Sequence, residues 1–152
     1  MHSKATLTVA VFLFVSAMPL CAAGIDDKPM DMQTIQALEI RAEQAQPREQ
    51  CFLYAEIVHQ MTEVSVRQYA AGDVEHATGL LRLVQQMAKK IHLSMADNDK
   101  RVKNAEILLN HTAFRLNGML HGSSFEDRPL VEEALTEVNL AQNEAMMQVF
   151  RK

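Results

Sequence analysis

The stretch that decides the fold reads 74-VEHATGLLRLVQQMAKKIHLSM-95. Its apolar residues return every three or four positions, the spacing that places side chains on one face of an α-helix. Lys89 and Lys90 lie near its carboxyl end, where the helix dipole favours cations. The pattern predicts a long amphipathic helix that begins after Asp73, and its inward face is Val74, Ala77, Leu81, Val84, Ala88, Ile91 and Met95.

Similar patterns flank this helix on both sides. Toward the amino terminus we expect a helix over about 48–71, closed by Gly72, and a shorter one over about 31–46, ended by Pro47. Toward the carboxyl terminus, one helix runs to His121-Gly122 and the last runs from about 127 to the end. The inward residues of these last two are Val102, Ala105, Leu109, Thr112, Leu116, Met119, and Val131, Ala134, Leu135, Val138, Ala141, Ala145, Val149.

Four of these helices have similar lengths, about 35 Å at the usual rise per residue. Short turns between them make successive helices antiparallel. We therefore predict an all-α protein, an up-down four-helix bundle preceded by a short N-terminal helix, with one domain over 31–152. The run Gly72-Asp73-Val74-Glu75-His76-Ala77 also looks like a tetratricopeptide hairpin junction, but such repeats use shorter helices and occur in several copies.

The first residues have the organisation of a secretory signal peptide. Lys4 precedes an apolar run of about 14 residues, too short to cross a bilayer, and small residues follow. We expect a signal peptide over 1–23, a linker over 24–30, and no transmembrane segment after cleavage. The protein is then periplasmic or secreted; the alternative is a lipoprotein anchored through Cys21, although Leu20 is unusual before a lipid-bearing cysteine.

Charge and cysteine content narrow the function. The whole chain has 15 basic and 19 acidic side chains, and losing Lys4 leaves 14 against 19, a net charge near −5. A domain with this excess of acidic side chains is not expected to bind nucleic acid, because phosphate binding relies on Lys and Arg. Cys51 would be the lone cysteine of the mature chain, and we expect it to be buried; an intermolecular disulfide is the alternative.

Glu56, His59 and Glu63 form the first candidate site, for a metal. A Glu-x-x-His step places a carboxylate and an imidazole on one helix face, as in di-iron bundles. That design needs the motif twice, and Glu106 and His111 are spaced too widely to supply the second copy. The alternative is a solvated helix face on which Glu63 pairs with Arg67.

His111, Arg115 and His121 form the second candidate site, for an anionic ligand. His111 and Arg115 are one helical turn apart, and His121 lies in the turn that also contains Ser123 and Ser124. The alternative is the ordinary polar flank of a bundle.

No catalytic motif occurs, so we predict a non-enzymatic protein without a cofactor. Apolar residues outside the main stripes point to a protein partner or to self-association; they are Phe52, Val66, Leu83, Leu93, Leu140 and Met147. The leading hypothesis is thus an exported interaction or structural protein of the cell envelope, and the alternative is a bundle that binds a metal or small ligand.

Several stretches also carry a resemblance. Residues 47–54 (PREQCFLY), 103–106 (KNAE), His111-Thr112 and 120–124 (LHGSS) resemble small exported proteins of unknown function from acidobacteria. The resemblance spans most of the mature chain. It implies a location in the cell envelope and no particular activity.

Overall fold

A computed structural model describes residues 30–95 and 99–151, with the backbone alone at 99 and 100. The described chain is all-α, without a strand. No helix in it is long and apolar enough to span a bilayer. The predicted leader, the linker before Met30 and the turn at Asp97 and Asn98 lie outside the described residues. The helices are α1 (Met32–Gln44), α2 (Pro47–Ala70), α3 (Val74–Ser94), α4 (Asp99–Gly122) and α5 (Arg128–Phe150).

The ends of α2 and α3 follow local chemistry. Pro47 is the first residue of α2, where its missing N–H costs nothing. Gly72 adopts a φ of 85°, which a glycine tolerates easily. Asp73 caps α3, because its carboxylate accepts hydrogen bonds from the backbone N–H and the ring Nδ1 of His76. That side-chain hydrogen bond lowers the pKa of Asp73 and raises the pKa of His76.

The predicted inward faces of α3, α4 and α5 are largely confirmed. All the inward residues expected on α4 are buried, as are Ala77 through Ile91 of the α3 set. The exceptions in the α3 set are Val74, whose side chain is 37 % exposed, and Met95, which is partly buried. Seven-residue periodicity is therefore a reliable guide to burial here.

Helix α2 is buried more completely than its sequence pattern indicates. Its sequence places one apolar stripe on the helix, formed by Cys51, Tyr54, Val58, Met61 and Val64. Leu53, Ala55 and Ile57 lie outside that stripe and are also buried. The reason is that α2 contacts α1, α3 and α4, so neighbours cover it on several sides. Helix α1 lies antiparallel along it, with the Met30 N–H bonded to Gln60 and Gln50 bonded to the Glu43 carbonyl.

The helix contacts define which helices are neighbours. Helices α2 and α5 each pack against both α3 and α4, whereas within the described residues α3 does not contact α4. Two antiparallel hairpins, α2–α3 and α4–α5, therefore lie side by side. The connection between α3 and α4 joins helices that are not neighbours, a departure from the expectation that short turns join adjacent helices.

Cross-helix contacts show that the hairpins are stacked with equivalent helices parallel. Between α2 and α4, Glu49 pairs with Arg101 and Glu63 with Arg115, so position rises along both helices together. Between α3 and α5, Lys89 pairs with Glu137, and further along His92 pairs with Glu144. The molecule thus has an α2/α4 side and an opposite α3/α5 side.

Three Ser and Thr side chains are completely buried in this apolar interior. Ser65 of α2 donates to the Ala77 carbonyl of α3 at 2.9 Å. Thr112 of α4 donates to the Leu108 carbonyl at 2.8 Å and lies 3.1 Å from His59 Nδ1. Thr62 differs, because its hydroxyl is buried without a hydrogen-bond partner among the described residues. A buried polar atom without a partner lowers stability.

This contrast predicts opposite effects for the same substitution. Thr62→Val removes an unpartnered hydroxyl and should stabilise the protein by about 1 kcal/mol, whereas Thr112→Val removes the acceptor of His59 and should cost about 1–3 kcal/mol. Urea unfolding followed by circular dichroism measures both. Two variants with free-energy changes of the same sign would contradict this account of the core.

Candidate functional site

The parallel helices α2 and α4 enclose two grooves on the α2/α4 side. The first, the His59 groove, has a volume of about 260 Å³ and is lined by Phe52, Glu56, His59, Gln60, Asn104, Ile107 and Leu108. The second, the Phe114 groove, has a volume of about 280 Å³ and is lined by Val66, Tyr69, Ala70, Phe114, Arg115, Gly118, Met119 and Gly122.

An ion pair between Glu63 and Arg115 links the two helices between these grooves. Arg115 Nε donates to Glu63 Oε1 at 2.7 Å, and its Nη2 donates to Oε2 at 3.0 Å. Forked contacts of this kind are the strongest arrangement for a guanidinium and a carboxylate. Glu63 therefore forms its ion pair across to α4, and the expected pairing with Arg67 on the same helix is not the one adopted.

His59 is oriented by α4. The single hydroxyl proton of Thr112 is donated to Leu108, so the contact between Thr112 and His59 Nδ1 requires the ring to donate. In the neutral imidazole the Nε2 atom is then the basic nitrogen. Holding one ring nitrogen in this way is how proteins select the tautomer of a histidine that binds a ligand.

The candidate metal residues are only partly brought together. Glu56 and His59 both line the His59 groove, but the Glu63 carboxylate is bonded to Arg115. Among the described residues no group of three or more His, Cys, Asp or Glu side chains is placed to hold a metal ion. A metal site at Glu56, His59 and Glu63 stays a prediction, and it would require breaking the ion pair with Arg115.

The candidate anion residues are all exposed on α4 but have different surroundings. Arg115 is engaged with Glu63, so its charge is largely neutralised. His121 Nδ1 donates to the Asn117 carbonyl of its own helix at 2.7 Å, which supports the interpretation that it helps to finish that helix. His111 lies exposed one helical turn before Arg115. Anion binding by His111, Arg115 and His121 stays a prediction.

Hydrogen bonds of Tyr69 hold one end of the Phe114 groove in place. Its hydroxyl donates to Asp127 Oδ2 and accepts from the Ser124 N–H, both at 2.9 Å. Ser124 Oγ donates to the same carboxylate oxygen at 2.7 Å. The loop after α4 is thereby tied to the end of α2, and the groove keeps a fixed shape at that end.

Helix α4 also has an exposed apolar stripe, formed by Ile107 and Phe114, which was not predicted from the sequence. Ile107 is 44 % exposed and Phe114 is 76 % exposed. They lie seven residues apart, a second repeat beside the buried one, and this spacing was the available signal. Each groove is smaller than the roughly 300–1,000 Å³ of typical small-molecule sites, so side chains of a partner fit them better than a large ligand.

Cys51 takes no part in these grooves. Its side chain is buried, as predicted, and it forms no disulfide. Burial, with a smaller effect from Glu144, raises the pKa of the thiol to about 11. The protonated, covered thiol is a poor nucleophile.

Comparison of the chain with protein-family models, with curated proteins and with solved structures finds no match.

Proposed function

We propose that this chain is an exported, non-enzymatic interaction protein of the cell envelope. The observation that carries the proposal is the exposure of Phe114 beside a small apolar groove. A large aromatic side chain left in water costs solubility, and contiguous exposed apolar surface is typical of a binding face. Aromatic anchors at the centre of such faces contribute most of the binding energy.

The fold proposed for the exported protein is an up-down four-helix bundle with α1 packed against α2. Its support is the closed set of contacts among α2, α3, α5 and α4 and the alternating directions of successive helices. Helices α3 and α4, although consecutive in the chain, are then diagonal to each other in the bundle. Export is proposed from the signal-peptide pattern of residues 1–23.

Export is tested by the N-terminus of the protein recovered outside the cytoplasm. Mass spectrometry should give a chain that begins at Gly24. Cys21→Ser should leave this unchanged, because cleavage after Ala23 needs only a small side chain at that position, whereas Ala23→Arg should block it. Lipid on Cys21, or loss of processing in Cys21→Ser, would support the lipoprotein alternative.

Partner binding is tested by site-specific photo-crosslinking in the exporting cell. A photoreactive phenylalanine analogue at Phe114 should give a discrete crosslinked species, because that side chain lies at the proposed interface. The same analogue at Gln36, an exposed position on α1, is the matched control. Absence of any product at Phe114, or identical products at both positions, would count against an interaction through this face.

The second candidate function is metal or small-ligand binding in the His59 groove. It is favoured by the fixed orientation of His59 beside Glu56. Two protein ligands are fewer than the three or four that zinc sites normally use. This function therefore ranks below the interaction function.

Elemental analysis of protein purified without chelator tests this alternative. Retention of about one zinc or iron per chain, lost in His59→Gln, would establish metal binding. A metal-free protein whose melting temperature is unchanged by added zinc, iron or copper would exclude it.

A further inference from the structure

We propose that the chain associates with copies of itself head to tail, the α2/α4 side of one copy against the α3/α5 side of the next. This inference rests on the interaction function proposed above and names the partner as a second copy. It starts from two exposed apolar stripes of the same chain. One consists of Ile107 and Phe114 on α4, and the other of Leu140, Met147 and Phe150 on α5.

The two stripes border different helix contacts of the molecule. Phe114 borders a groove shared with α2. On α5, Leu140 is 51 % exposed and Met147 is 60 % exposed, on the face opposite the buried Val138 and Ala145. Ion pairs of α5 with α3 flank this second stripe. When two copies join through unlike sides, each copy uses one of its two sides and keeps the other one free. Further copies can therefore bind at both ends of the pair.

The spacing of the apolar residues matches. Ile107 and Phe114 are seven residues apart, and so are Leu140 and Met147. Seven residues are two helical turns, about 10.5 Å along the axis. When α4 of one copy lies along α5 of the next, both pairs of side chains can meet in a single register. Helix-in-groove recognition commonly uses anchors with this spacing.

Charge favours contact between unlike sides. From Arg101 to Gly122, the exposed positions of α4 include no carboxylate, and its Lys103 has no ion-pair partner among the described residues. On α5, Glu132 and Glu133 are exposed and equally lack a described ion-pair partner. In a parallel register, two α4 stripes would bring their Lys103 side chains together, and two α5 stripes would bring their Glu132 and Glu133 carboxylates together. Contact of the α4 stripe with the α5 stripe brings opposite charges together.

The same charges select a direction. If α4 and α5 of the two copies run parallel, with Ile107 beside Leu140, Lys103 lies within one turn of Glu132 and Glu133. The antiparallel register would place Lys103 near Arg151. The parallel register also brings Phe150 to the turn of Gly118, where a Cβ would meet no side chain and no other helix within 4 Å. That glycine gives the ring room to approach the α4 backbone.

The experiment uses two exposed positions, so that folding is preserved. Phe114→Glu disables the α2/α4 side, and Met147→Glu disables the α3/α5 side. Gln36→Glu on α1 adds the same charge away from both. Each protein, purified after expression with its own N-terminal segment, is studied by sedimentation over a dilution series, and thermal melts confirm the fold.

The wild-type protein and Gln36→Glu should show a mass that rises with concentration beyond that of a dimer. Each of the other variants alone should stay monomeric. An equimolar mixture of Phe114→Glu and Met147→Glu should form a one-to-one heterodimer and nothing larger, because one intact side remains on each partner.

Three results would overturn the proposal. They are a wild-type monomer at all concentrations, a mixture of the two variants that stays monomeric, and a Met147→Glu protein that still dimerises, which would indicate contact between like α2/α4 sides. A monomer whose position 114 crosslinks a different envelope protein overturns self-association alone. A monomer with no crosslinked partner overturns the interaction function as well.

Discussion

The covering of α2 by three other helices is the constraint on which the rest of the structure depends. Because α1, α3 and α4 all pack against it, apolar residues are needed around most of its circumference. Only the strip along the outer edge of the α2/α4 contact remains available for charged groups. Glu56, His59 and Glu63 all lie on that strip, so the burial of α2 decides where any functional site on this helix can be.

Parallel packing of α2 and α4 has an electrostatic consequence. Parallel helix dipoles place like partial charges side by side at each end, an arrangement less favourable than antiparallel packing. The Tyr69 contacts with Ser124 and Asp127 hold the carboxyl ends of these two helices together. Further along, the forked ion pair of Arg115 with Glu63 fixes their register. The Phe114 groove is therefore held between two polar contacts that offset the cost of the parallel arrangement.

Three features could be predicted from the sequence: the helices, their bounds to within a few residues, and most of the buried residues. This was possible because the apolar residues recur with the helical period of 3.6 residues, which shows which face of each helix is buried. It could not reveal which helices are neighbours. The core stripe of α4 is the same whether that helix lies beside α3 or across from it. For the same reason the sequence offers Arg67, one turn away, as the alternative partner of Glu63, whereas the actual partner, Arg115, belongs to another helix.

The candidate site was predictable only in part, since Glu56 and His59 were identified but the role of Thr112 in orienting the ring depends on a contact between helices. The exposed apolar stripe of α4 shows a second limit of prediction from sequence. Gly118 lies within this helix with no close neighbour, and a glycine there costs roughly 1 kcal/mol relative to alanine. Phe114, one turn away, exposes an aromatic ring to water. Neither residue helps the isolated chain to fold, and both make sense if this surface is covered when the protein functions.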